Sequence, residues 1–355
     1  MGRLFGGKIG LVQGANVNFP SMSGVFSIFD QYYSKRRGGW KNTFATGGDN
    51  LLSYIDSNGD VWTVLEFTQP GTLVCNEPGL CDVFMIGGGG AGGRSYGNND
   101  TGKGGGGAGM ALWRQSFPIT AGSYPITVGL GGVSPGTSES NNGTYGQGNF
   151  GGDTIAFGVT AKGGVGGHAS DNYGSFSTTG GCGGGGGARN NNPRDSGSTG
   201  GGFPVANWTN YTNAGGNSAS GNQSGGGGGG IGGAGSSQTG GANDPNSRAG
   251  AGGVGLDFSP FFGSGVGADG WFGGGGGGGT YCYAGPIAYR AAGGQGGGGK
   301  GTTAQENGTG GASDASDVNG MANTGGGGGG SSEGDGNPGS ISGSGGSGVV
   351  IVRFR

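Results

Sequence analysis

Histidine occurs once in this chain, at position 168, cysteine four times and proline 12 times, and charged residues make up only 10% of the 355 positions. Each scarcity excludes something. His168 has no acidic or cysteine neighbour at useful spacing, so neither a zinc set nor a histidine base is expected, and no metal or cofactor with them. Paired carboxylates at fixed spacing are also missing, and the chain reads as a non-enzyme. The cysteines, at 75, 81, 182 and 282, are too few and too scattered for a disulfide framework. Cys75 and Cys81 flank a turn between two strands. A bonded pair and two free thiols both stay open there, the free thiols being the simpler reading.

Too little proline, and no Gly-X-Y period, excludes collagen. No apolar run approaches the ~18 residues of a membrane-spanning helix, so no membrane insertion is expected. The amino terminus lacks the apolar stretch of a cleaved signal, and Gly6 stands where myristoylation needs Ser or Thr. The expectation is a chain made in the cytoplasm without a signal peptide. A net charge of −3 carries no electrostatic footprint for nucleic acid.

What the chain has instead is glycine, 107 residues of it, gathered into runs of similar length at 104–107, 183–187, 225–230, 273–279, 296–299 and 325–330. A flexible linker is Gly/Ser-rich throughout. Here segments rich in aromatic residues separate the runs. A side-chain-free backbone can adopt the polyproline-II conformation, with three residues per turn and about 3.1 Å rise. Such helices have no internal hydrogen bonds, but they can stand side by side and exchange N–H···O=C bonds with their neighbours, satisfying buried amides without an apolar core. Only glycine permits backbones that close.

Two strands frame the runs. Residues 82–86 lead directly into the glycines at 87–90, and 349–354 follow the last glycines out. Upstream, apolar alternation at 52–56 and 61–67 flanks Asn58 and Gly59, a hairpin signal. Further strands are expected at 71–75, 110–114, 117–120, 123–128, 153–157 and 159–161. The apolar stretch 349–354 is expected to pair inside this sheet, leaving 166–344 as an insertion. Residues 24–40 suit one short helix, with Ser27 as its cap, Phe26, Phe29 and Tyr33 at helical spacing and Gly38 at the exit. Its aromatics, with Trp40, read as a docking element for another protein.

The fold class expected is all-β: an antiparallel β-sandwich closed by the C-terminal strand, with a large inserted polyglycine-II helix bundle and one short N-terminal α-helix. The domains are an attachment arm at 1–45, the β-sandwich at 46–165 plus 345–355, and the glycine-rich domain with display loops at 166–344.

Nucleotide motifs fail on context. Residues 87–92 satisfy Gly-x-Gly-x-x-Gly, and 97–103 have P-loop spacing, but no helix former follows either one. Gly104 also replaces the magnesium-binding Ser/Thr. Residues 151–157 faintly match a calcium-binding nonapeptide, once and out of pattern.

The order strand, 87–93, 104–109, then Phe117 to Gly132, is similar to the glycine-rich tail-fibre and adhesin proteins of tailed bacteriophages. So are 152–157, 161–167 and the closing 345–354, and 24–40 resembles the amino-terminal piece of such proteins. The resemblance covers most of 24–355. It implies a virion component on the tail or particle surface, often a receptor-binding tip whose loops touch the host. The partners implied are other virion proteins through the N-terminal segment, a host-surface glycan or outer-membrane protein, and further copies of the chain, a trimer among them. The loop aromatics Phe203, Trp208, Tyr211, Phe258, Phe261, Phe262 and Trp271 are the candidate receptor contacts; their alternative role is to pack against the glycine slab. Phe26, Phe29, Tyr33 and Trp40 are the candidate virion-docking residues. The alternative function is a purely architectural fibre or decoration protein. An ice-binding surface is disfavoured, because the interruptions are irregular and aromatic.

Overall fold

The computed structural model describes residues 44–94, 102–135, 146–169, 180–188, 197–201, 204–218, 224–240, 248–282, 289–305, 315–332 and 341–355. The expected N-terminal helix, with Phe26, Phe29, Tyr33 and Trp40, and Phe203 lie outside them. The strands are β1 (Ala45–Thr46), β2 (Asn50–Ile55), β3 (Val61–Phe67), β4 (Gly71–Cys75), β5 (Gly79–Ile86), β6 (Ala111–Ile119), β7 (Gly122–Ile126), β8 (Thr154–Ala156) and β9 (Val159–Ala161). There follow β10 (Thr209–Tyr211), β11 (Leu256–Asp257), β12 (Trp271–Phe272), β13 (Thr280–Cys282), β14 (Thr303–Gln305) and β15 (Val349–Phe354). Helix is confined to two single turns, α1 (Ser259–Phe262) and α2 (Ala315–Val318), among the described residues. The protein is mostly β, and all but one of its strand pairs are antiparallel: β13 and β14 run parallel.

Six strands form the main sheet, in the order β10-β6-β5-β15-β3-β2, and three form a second, β1-β4-β7. The C-terminal strand thus lies at the centre, with Ile351 opposite Phe84 on one side and Glu66 on the other. Its six residues are all buried, and the consecutive apolar residues 349–352 suit a strand covered on both faces.

Alternation along the strands sorts the main sheet's side chains into two clusters. Leu65, Phe67, Val83, Met85, Leu112, Val350 and Val352 meet Leu73, Cys75 and Ile126 of the three-stranded sheet. Val64, Phe84, Ile86, Trp113, Val349 and Ile351 point the other way, onto Phe258, Phe262, Val266 and Phe272.

Local chemistry explains the turns. The Asp56 carboxylate accepts from the Asn58 and Asp60 amides at 2.9 and 3.0 Å and from the Trp62 indole N–H at 3.0 Å, closing the β2–β3 hairpin. Phe157 and Gly158 both have positive φ, 53° and 75°, the two-residue turn that joins β8 to β9. One sequence expectation changes, and one open alternative closes. The separate strands at 110–114 and 117–120 are one strand, β6, with its irregularity at Ser116 (φ 51°), opposite a register shift between Cys81 and Val83. Cys75 and Cys81 do not face each other across a hairpin, because β4 and β5 belong to different sheets; both thiols are free and buried.

The glycine runs continue the main sheet directly: β5 runs into 87–94, 102–110 run into β6, and 341–348 run into β15. Their hydrogen bonds follow a period of three. Along 102–110, Lys103, Gly106 and Gly109 donate to Ser331, Gly328 and Gly325 at 2.8, 2.8 and 2.9 Å. Gly104, Gly107 and Met110 donate to His168, Val165 and Lys162 at 3.1, 2.8 and 2.8 Å. Gly105 and Ala108 donate to Gly226 and Gly229 at 3.0 and 2.9 Å.

The carbonyls of the same run accept with the same period. Gly93, Gly90 and Gly87 bond to Gly104, Gly107 and Met110; Ala188, Gly185 and Cys182 bond to Gly102, Gly105 and Ala108; Gly279 and Gly276 bond to Lys103 and Gly106. Donating to three runs and accepting from three others, this run is enclosed on all sides by backbone. A β-strand addresses two neighbours; the bonds of this run address six, recurring every third residue. The side-chain vacancy is needed: a Cβ at Gly106 would stand 2.1 Å from the Gly90 oxygen, and one at Gly105 2.1 Å from that of Gly276.

Candidate functional site

The array has two unlike ends, and bond partners show which described residues belong to each. At the sheet end, Gly87 donates to Met110 and Gly348 to Gly129. The opposite end is defined by bonds among residues that flank the polar segments. The Arg94 amide donates to the Gly146 oxygen at 2.6 Å, and its guanidinium to that of Pro135 at 3.1 Å. Ala188 donates to Gly102, which in turn bridges to Ser332. The Ser134 and Ser342 hydroxyls share a hydrogen bond of 2.7 Å. Ser218 donates to the Gly187 oxygen, Gln238 to that of Asn217, and the Arg248 guanidinium sits 4.7 Å over the Tyr289 ring. The described residues on both sides of 95–101, 136–145, 189–196, 219–223, 241–247, 283–288, 306–314 and 333–340 therefore gather at the end away from the main sheet. The intervening residues are dominated by Asn, Asp, Ser, Thr and Gly, except at 283–288, where Tyr283, Pro286 and Ile287 stand instead.

One cluster of opposite charges lies toward this end. Arg290 grips Asp317 through its two terminal guanidinium nitrogens, at 2.7 and 2.8 Å, with Lys300 3.5 Å away. The hydrogen bond from Arg290 holds the Asp317 carboxyl below the usual carboxylate range, against a smaller opposing effect of burial. Among the described residues no group of three His, Cys, Asp or Glu side chains is placed to hold a metal ion.

The aromatic candidates lie at the other end. Phe258 lies tilted 4.4 Å from Phe84 and edge-on 5.6 Å from Trp113, and Phe262 meets Trp113 edge-on at 5.5 Å. Both are buried, as is Trp208, which packs 5.8 Å from Phe117 on the opposite face of the sheet. Tyr211, Phe261 and Trp271 are half-buried; the first two pack against the same cluster as Phe258, and Trp271 pairs with Asp257. The structure brings Phe258, Phe261, Phe262 and Tyr211 together, but as the lining between sheet and loop. Trp208, Phe258 and Phe262, expected as receptor contacts, have no exposed ring to offer, because the apolar face of the main sheet needs covering. The sequence carried only part of a signal for this division: the aromatic segments 204–213 and 256–271 return to the sheet, whereas the segment with Tyr281 and Tyr289 has its described flanks at the far end.

This architecture, a sheet whose strands run on into a hydrogen-bonded glycine array, defines a class of scaffold built largely without side chains. The chain belongs to the Glycine-rich domain family, whose model matches residues 68–355. The match takes in β4 through β15 and leaves out β1, β2 and β3. A search among curated proteins returned no match.

Proposed function

We propose that the protein is a structural component of a tailed-bacteriophage virion, a tail-fibre or tip adhesin that presents loops to the host surface. In this reading the glycine runs are polyglycine-II helices and the two sheets are a β-sandwich closed by β15. The three-residue period of the hydrogen bonds supports the first assignment, since that conformation has three residues per turn. The cluster shared by both sheets supports the second.

The observation that carries the function is the gathering of polar-segment flanks at one end of the array, opposite the sheet. A rigid scaffold with connections collected at one end suits recognition by loops. The contacts are then polar, and the partner is a host-surface glycan or an outer-membrane protein. Attachment to other virion proteins falls to the N-terminal segment with Phe26, Phe29, Tyr33 and Trp40. The chain performs no catalysis in this reading.

The test replaces 136–145 and 189–196, singly and together, by Gly/Ser segments of equal length. Purified variants then compete with phage for host cells. Loss of competition with an unchanged melting temperature is expected. Full competition by every such variant would leave the architectural reading, a fibre or decoration protein without a receptor.

A further inference from the structure

We propose that β2 is a dimerisation strand, pairing antiparallel with β2 of a second copy about a twofold axis at Ser53. β2 is the outer strand of the main sheet, and among the described residues nothing pairs with its free edge. The Asp56 amide donates to the Asp60 oxygen at 3.0 Å, which marks these two as a hydrogen-bonded pair. Alternation then makes Tyr54–Trp62 and Leu52–Val64 bonded pairs, in the observed register. The N–H and C=O groups of Leu51, Ser53 and Ile55 consequently point outward.

Natural edge strands are protected by charge, proline or a bulge. Asn50–Ile55 contains no charged residue and no proline, and its register with β3 is unbroken. On the face shared by Leu51 and Ile55 the apolar surface is open: Leu51 is 72%, Ile55 63% and the neighbouring Val61 58% exposed.

The occupant follows from symmetry. Leu51, Ser53 and Ile55 are nearly palindromic about Ser53. With Ser53 opposite its own copy, Leu51 falls opposite Ile55 of the second chain, and every outward donor meets an outward acceptor. Asp56 falls opposite Asn50, so no like charges face each other. The two open apolar faces join into one, and the two main sheets become continuous. The hairpin lies outside the residues matched by the family model, so this contact belongs to what the chain adds to the domain.

The experiment measures the mass of the full chain, 33.9 kDa as one copy, by sedimentation over a wide concentration range. Wild type is expected to reach twice that mass. Ser53→Pro removes an outward N–H that β3 does not use, a place where an edge strand tolerates proline, and is expected to remain monomeric. Ser53→Cys brings two thiols to a pair with Cα atoms about 5.5 Å apart, within the span of a disulfide, and oxidation is expected to yield a covalent dimer. Should Ser53→Pro fail to fold, the cysteine cross-link decides. A wild type that stays monomeric overturns the proposal, and so does a dimer indifferent to both substitutions. Slow exchange of the Leu51, Ser53 and Ile55 amides in a monomer would assign the edge to another segment of the same chain, and also overturns it.

Discussion

Arg353 and Asp82 are register partners on β15 and β5, and their side chains form an ion pair of 2.8 Å with less than a tenth of either exposed. The guanidinium also lies 4.0 Å over the Trp62 ring and donates to the Phe261 oxygen at 2.7 Å. Asp82 accepts in addition from the Ser116 amide, at the irregular point of β6. One pair therefore ties the last strand to the strand that opens the array, and to the loop covering the sheet.

Arg353→Ala is expected to cost about 3–5 kcal/mol, because Asp82 is left in a buried place without its partner. Replacing both, as Arg353→Met with Asp82→Leu, is expected to recover most of that loss. Urea denaturation of the three proteins measures it.

Gly106→Ala places a methyl group against the Gly90 carbonyl inside the enclosed run, where neither backbone can yield. The variant is expected to lose about 3 kcal/mol or more, since overpacking a tight interior is destabilising even when atoms can relax. At Gly265 nothing stands within 4 Å of the added methyl. Gly265→Ala is expected to be neutral or to gain up to ~1 kcal/mol by restricting the unfolded chain. Paired thermal melts separate close approach from a general intolerance of alanine.

Burial raises the Glu66 carboxyl above its ordinary value; a hydrogen bond from Asn50 opposes this and the Asp49 charge adds to it. A raised carboxyl contributes stability that is complete below the unfolded value near ~4.3 and lost as pH rises through the folded one. Glu66→Gln is thus expected to melt higher than wild type at neutral pH, with the gap closing toward the unfolded value. A melting series against pH checks both the sign and the closure.

The Cys182 thiol, fully buried within the array, is pushed up to about 12 by desolvation, and Cys81 in the sheet likewise to about 12. Neither is a thiolate at pH 8, and thiolate is the reactive form. Both are expected to resist a thiol reagent in the native protein and to react at once in denaturant. Peptide mapping of the labelled chain reads each site separately.

Strand positions near Asn58 and Gly59, the burial of 349–354 and the mutual hydrogen bonding of the glycine runs were all legible in sequence. Each depends on local properties: turn chemistry, apolar continuity and the absence of a Cβ. The ninefold stretch of β6 was not, since its kink at Ser116 depends on Asp82 of the neighbouring strand. Nor was the role of Trp208, Phe258 and Phe262, for an aromatic residue in a loop has no inherent direction.

The residue order by itself determined that backbones here approach closely enough to bond without side chains, because that permission is written residue by residue in glycine. Only the tertiary structure decided which run neighbours which, which end of the array collects the polar segments and which aromatics are spent covering the sheet. Glycine is the same at every position and cannot specify its partner. The choice falls to the strands at one end, whose side chains differ and sort into two distinct buried clusters.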